Sequence, residues 1–170
     1  PPPAQAVLFE DDFERGLSPA WQVVSGNPIV VNGMLSADKD TWLLVGDTGW
    51  SNYEVLFEAD AADCWFSWSE NALAVYVQDL DDMVAIKWAD CESYWYTVRN
   101  GSWKEVPNSE FGPGYEMLSL RILARDGQFA VYVDGLKMTS FFDASFSGGR
   151  IALMIAKNTL IDNFVVRETE

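Results

Sequence analysis

Histidine is absent from this 170-residue chain. Its absence excludes a histidine general base, a Ser-His-Asp triad and any histidine-ligated zinc centre. Cysteine is nearly absent: Cys64 and Cys91 are the only two, too few for a disulfide-dense miniprotein and without the spacing of a zinc ribbon. Basic residues are scarce, with 11 Lys and Arg against 26 Asp and Glu and a formal net charge of −15. Binding to phosphate backbones needs clustered cations, so nucleic acid is not an expected partner, and an acidic surface discourages adhesion to anionic lipid. There is no apolar run long enough to span a bilayer, so no membrane insertion is expected. Heptads and long apolar stretches of helical period are missing as well, which argues against a helical fold.

What remains is a chain rich in aromatic and apolar residues arranged in short runs. Hydrophobic residues make up 49%, including 8 Trp, 6 Tyr and 10 Phe. The length fits one domain that buries about two-thirds of the surface its unfolded form exposes. Pro1-Pro2-Pro3-Ala4-Gln5-Ala6 favours an extended polyproline II segment, so residues 1–6 are expected to be a linker remnant and 7–170 the domain. Alternation is clear in two places. Tyr53, Val55, Phe57 and Ala59 share one face, as do Leu118, Leu120, Ile122 and Ala124, the pattern of half-buried antiparallel sheet. Asn32-Gly33, Asn100-Gly101, Asp126-Gly127 and Asp134-Gly135 supply the positive φ of tight hairpin turns. About a dozen short strands at this spacing predict an all-β sandwich or barrel.

The stretch from Ala72 to Val106 spells out consecutive hairpins. Pairing Gln78 with Met83 sets Tyr76 opposite Ala85, Ala74 opposite Lys87 and Ala72 opposite Ala89. The other face then holds Leu73, Val75, Val77, Val84, Ile86 and Trp88, and burial of that set fixes the register. A three-residue turn at Cys91-Glu92-Ser93 places Tyr96 and Val98 in the core and turns Trp95, Thr97 and Arg99 outward. A two-residue turn would bury Thr97 and Arg99 instead, and that burial cost favours the longer turn. The expected outcome is a shallow trough bearing Tyr76, Gln78, Lys87, Trp95 and Arg99, joined by Arg121. Flat aromatic faces suit the C–H surface of a pyranose, and planar polar groups suit its hydroxyls. Trp65 and Trp68, in an aromatic loop beside Cys64, form either one wall of that trough or a plug over the sandwich end. Trp21, Trp42, Trp88 and Trp103 are assigned to the core or a sheet edge.

Cys64 precedes the first of these strands and Cys91 closes the second, so both fall at one end of the sheet. They are either bonded, which implies an oxidising, extracytoplasmic compartment, or two buried free thiols.

The order of elements carries a resemblance. Leu8-Phe9-Glu10-Asp11-Asp12-Phe13 is followed by Trp21, the Asn32-Gly33 turn and Asn52-Tyr53-Glu54-Val55. Then come the hairpin from Ala72 to Trp88, Arg121-Ile122, Val131-Tyr132-Val133-Asp134-Gly135, Gly149-Arg150-Ile151-Ala152-Leu153 and Ile161-Asp162-Asn163-Phe164-Val165-Val166. From Val7 to Arg167 the chain resembles the concanavalin A-like jelly-roll superfamily, especially bacterial laminin-G-like domains and related carbohydrate-binding modules. The resemblance implies two antiparallel sheets packed face to face, one of them concave and glycan-binding in many relatives. It also implies adjacent terminal strands holding a structural Ca²⁺ through Glu10, Asp12 and Asp162, the alternative being a solvated acidic edge. Glycosidase relatives carry Glu-x-Asp-x-x-Glu on one strand, and no such spacing occurs here. The expectation is a non-catalytic, secreted or cell-surface, lectin-like module for glycan. The second reading is an adhesive or structural subunit whose aromatic surface meets other domains of a longer chain or copies of itself.

Overall fold

The computed structural model describes residues 5–60, 71–89, 92–112 and 117–170. No described residue is helical. The first strands are β1 (Val7–Asp11), β2 (Gln22–Ser25), β3 (Pro28–Val31), β4 (Met34–Ala37), β5 (Thr41–Val45) and β6 (Tyr53–Asp60). A ribbon follows, built of β7 (Asn71–Asp79), β8 (Asp82–Ala89), β9 (Glu92–Arg99) and β10 (Ser102–Glu105). β11 (Met117–Arg125), β12 (Gln128–Val133), β13 (Leu136–Phe142), β14 (Arg150–Ile155) and β15 (Ile161–Glu168) complete the chain. One sheet runs β13-β12-β11-β6-β15-β4-β3, with β1 added on β15, and the other runs β10-β9-β8-β7-β14-β5-β2. The fold is all-β, an antiparallel two-sheet jelly-roll sandwich of the concanavalin A-like type. Three of the strands that end the sheets, β2, β3 and β10, have four residues each.

The tight turns follow their sequence. In Asn32-Gly33, Asn100-Gly101, Asp126-Gly127 and Asp134-Gly135 both residues have positive φ, between 48° and 80°, as a type I′ turn requires. The alternating strands bury the expected sets: Tyr53, Val55, Phe57 and Ala59 on β6 face Leu118, Leu120, Ile122 and Ala124 on β11 within one core.

The central ribbon departs from the expected pairing in two ways. Asp79 pairs with Asp82, but Val75 pairs with Val84, so a β-bulge intervenes. Tyr76 takes φ 53° within it, and the bulge turns Tyr76 into the core and Val77 out to the opposite face. Tyr76 is 1% exposed, with its ring 5.5 Å from Tyr53 and 5.4 Å from Phe129. The second departure is the register of β9, in which Ala89 pairs with Glu92. That register inverts every side chain of β9 relative to the expected one, sending Trp95 inside and Tyr96 and Val98 to the outer face. Trp95 is fully buried, 5.4 Å from Phe141. The burial cost held against this register does not arise. Thr97 is only half-buried, and Arg99 reaches the rim of the sandwich, where its guanidinium lies 3.5 Å over the Phe146 ring and donates to Ser145 Oγ.

The bulge is locked by a tyrosine from the facing sheet. Tyr53 Oη accepts the Tyr76 N–H at 2.8 Å and donates to the carbonyl of Gly149 at 3.1 Å, and burial pushes the Tyr53 hydroxyl pKa well above its ordinary value. Gly149 has to be glycine here: φ is 144°, and a Cβ would sit 2.6 Å from the carbonyl carbon of Tyr76. Replacing Tyr53 with Phe leaves a buried N–H and a buried carbonyl unpaired, so Tyr53→Phe is expected to lower unfolding free energy by about 1–3 kcal/mol in denaturant titration.

Candidate functional site

The outer face of the second sheet is set by its cross-strand register. One row runs Trp42, Met154, Ala72, Lys87 and Tyr94 across β5, β14, β7, β8 and β9. The next runs Leu44, Ala152, Ala74, Ala85 and Tyr96, and Glu105 on β10 stands opposite Tyr96. A third pairs Met83 with Val98 and Val98 with Trp103. Three successive alanines in the middle row present only methyl groups, so larger neighbours on either side stand above a depression. The alanines themselves are buried, with Trp42, Leu80 and Trp103 packed against that cluster.

A cavity of about 380 Å³ opens on this face, lined in part by Asp40, Trp42, Ala72, Lys87, Trp103 and Met154. Its size falls in the range of small-ligand sites. Both tryptophans are half-buried. Lys87 Nζ lies 4.9 Å from the Trp103 ring and 5.1 Å from the Tyr96 ring, and those two rings meet edge to face at 5.8 Å. The cation thereby holds Trp103 and Tyr96 in fixed orientations at one wall. Trp42 stands on the opposite side, on β5. Just before it, the carboxylate of exposed Asp40 accepts the Lys157 N–H at 3.4 Å. The site thus joins two indole rings, an ammonium and a carboxylate over an apolar floor. Beyond Lys87 the edge is acidic. Tyr94 donates to Glu92 at 2.7 Å, and that hydrogen bond, with the nearby charges of Glu110, Glu92 and Glu105, pushes the Tyr94 pKa up to about 12.

Of the residues expected in the trough, Lys87 is there. Tyr76 and Trp95 lie between the sheets, for the reasons of bulge and register given above. Gln78 is exposed at the end of β7, where Nε2 donates to the carbonyl of Gly148 at 2.6 Å. Arg99 is held by Phe146 and Ser145 at the sandwich rim, with Asp82 3.5 Å away. Arg121 belongs to the other sheet, 2.6 Å from buried Glu54 and stacked 4.5 Å from Tyr132. Trp65, Trp68, Cys64 and Cys91 lie outside the described residues. The reading missed Trp42, Tyr96, Trp103 and Asp40. The Asn100-Gly101 turn carried the signal for one of them: it fixes Trp103 opposite Val98, so a correct face for Val98 brings Trp103 with it.

The terminal strands do lie side by side, β1 on β15. Their carboxylates stand at different levels along these strands. Asp162 pairs with Glu58 of β6, whereas Glu10 pairs with Val165, three residues further along β15. Asp12 Oδ1 accepts the Glu14 N–H at 3.2 Å. Asp11, the most buried of this set, is filled by donors: its oxygens accept the N–H groups of Phe13 and Ser18 and the indole N–H of Trp21 at 2.9–3.0 Å. Among the described residues no cluster of three Asp, Glu, His or Cys is gathered around a metal position.

No protein-family model matches the chain, and no curated protein matches it in sequence. Solved structures do match in shape. The carbohydrate-binding module CBM66 from Bacillus subtilis superposes with a TM-score of 0.71 at 16% identity, over 88% of this chain and 96% of the module. A β-glucanase of Bacillus licheniformis gives 0.70 at 10%, over 98% and 100%. An endo-β-1,3-glucanase of Pyrococcus furiosus gives 0.68 at 11%, over 96% and 94%. At these identities the likeness shows the fold, and that fold carries both binding modules and glucanases. The saturated Asp11 carboxylate and the dispersed acids of β1 and β15 lead to one expectation: the same melting temperature in EDTA as in millimolar calcium, read by calorimetry.

Proposed function

We propose that the chain is a non-catalytic carbohydrate-binding module that holds glycan on the outer face of its second sheet, between Trp42 and Trp103. The observation that carries this reading is the cavity lined by both tryptophans, with Lys87 and Asp40 beside them. Indole faces accept the C–H surface of a sugar ring, while the ammonium donates to its hydroxyls and the carboxylate accepts from them. The apolar floor excludes water beneath the ring and strengthens both polar contacts. The fold of a carbohydrate-binding module agrees with this assignment.

Against hydrolysis stands the composition of the floor. Glycoside hydrolysis needs two carboxyl groups flanking the scissile bond. The central strands β14, β7 and β8 turn alanine, methionine, valine, arginine and lysine to this face, with no carboxylate among the described residues between Arg150 and Met154, Ala72 and Val77, or Met83 and Lys87. Asp40 is the one carboxylate among the described residues that line the cavity. With extracellular polysaccharide as the ligand, we assign the module to a secreted or surface-attached protein. A role as an adhesive subunit is the second reading, favoured by Leu136 and Phe142 on β13, which are 68% and 66% exposed.

The test is a glycan-array screen followed by calorimetric titration of the best ligand. Trp42→Ala and Trp103→Ala are each expected to weaken binding by about tenfold or more while the protein stays folded by circular dichroism, as for loss of a central aromatic contact. Equal affinity in both variants would remove this face as the site.

A further inference from the structure

The charges around the cavity specify the kind of glycan, an inference that rests on the glycan-binding reading above. The chain carries −15 overall, so a polyanion approaches against a repulsive field wherever no cationic patch offsets it. Among the described residues this face turns out two cations, Lys87 and Arg150, on different rows and not gathered into such a patch. Among the described residues that line the cavity, Lys87 is the ammonium and Asp40 the carboxylate. Lys87 is already turned onto the rings of Tyr96 and Trp103. Immediately beside it, Tyr94 is its cross-strand neighbour, hydrogen-bonded to Glu92 and within the field of Glu105 and Glu110. Glu105 also stands opposite Tyr96 at the end of the alanine row. All three glutamates and Asp40 are exposed, so their charges act on an incoming ligand. Of the described charges, Asp40 and Lys87 line the cavity, and Glu92 and Glu105 stand one neighbour away, bonded to Tyr94 and opposite Tyr96.

We propose that this site takes uncharged polysaccharide and rejects glycans bearing carboxylate or sulfate, with Glu92, Glu105, Glu110 and Asp40 forming the rejecting rim. Hydroxyl groups meet no penalty there, because a carboxylate accepts their hydrogen bonds as readily as an ammonium donates to their oxygens. A uronate meets several like charges at once. Repulsion between like charges in partly hydrated surroundings adds over the pairs, so discrimination of about tenfold or more is expected at low salt.

Polymers that share a backbone and differ in the charge of their substituents provide the experiment: hydroxyethyl cellulose against carboxymethyl cellulose, and methyl-esterified polygalacturonate against polygalacturonate, by affinity electrophoresis and calorimetry. Retardation by a neutral polymer, lost in Trp103→Ala, with its acidic counterpart at least tenfold weaker, supports the proposal. Two further signs belong to it. Added NaCl strengthens binding of the acidic polymer instead of weakening it, and the triple variant Glu92→Gln, Glu105→Gln, Glu110→Gln gains affinity for that polymer. An acidic polymer that binds at low salt as tightly as its neutral counterpart, in a manner lost in Trp103→Ala, overturns the charge selection and leaves the glycan reading standing. Absence of binding to every neutral glycan, on the array as well as among these polymers, removes both.

Discussion

Which way each strand faces is the constraint on which this molecule turns. A β-strand offers alternate residues to opposite sides, so one bulge or one residue more or less in a turn decides what is core and what is surface. The interior settles that choice through an aromatic seam. Tyr53 and Tyr76 pack edge to face, Tyr76 meets Phe129, and Trp95 closes on Phe129 and Phe141. With those rings inside, Trp42, Tyr96 and Trp103 have no place within the sandwich and stand on the outer face of the second sheet. The candidate site is a by-product of how the core is filled.

Much of the architecture was legible in the sequence because its signals are local. Asn-Gly and Asp-Gly pairs need backbone conformations that other residues resist, and all four appear as tight turns. Alternation on β6 and β11 identified the buried faces of the first sheet, since one side of each strand is polar. The face of β7 and β8 was also legible through Leu73, Val75, Ile86 and Trp88, all of which are interior. The candidate site was less legible. On β9 both faces carry aromatics, so hydrophobicity does not tell Trp95 from Tyr96. The choice fell to a register that the sequence does not announce. The bulge at Tyr76 is held by Tyr53 Oη and by the approach of Gly149, partners 23 and 73 residues away, and such distant causes leave no mark in a short window.

The site has few polar groups, and this shapes what it can do. A face of alanine, methionine and tryptophan binds through shape and stacking, and its scarcity of carboxylates at the centre separates it from the paired acids of a hydrolase. The acids gather instead at the margin, around Tyr94. The same −15 charge that keeps the surface hydrated is therefore unevenly placed with respect to the cavity, absent from its floor and dense at one side.

The ends of the two sheets differ in kind. Three are four-residue strands, one of them opening on Pro28, and β10 carries Lys104 and Glu105. β13 has seven residues without proline or acid, and its Leu136 and Phe142 are the most exposed large apolar side chains described. Short or charged margins give a stray strand little to zip onto, whereas a long apolar margin is a template for runaway addition. Among the described residues, Lys137 and the irregular pairing between β12 and β13 are the guards on that side, so shelf life at high concentration is governed by this strand.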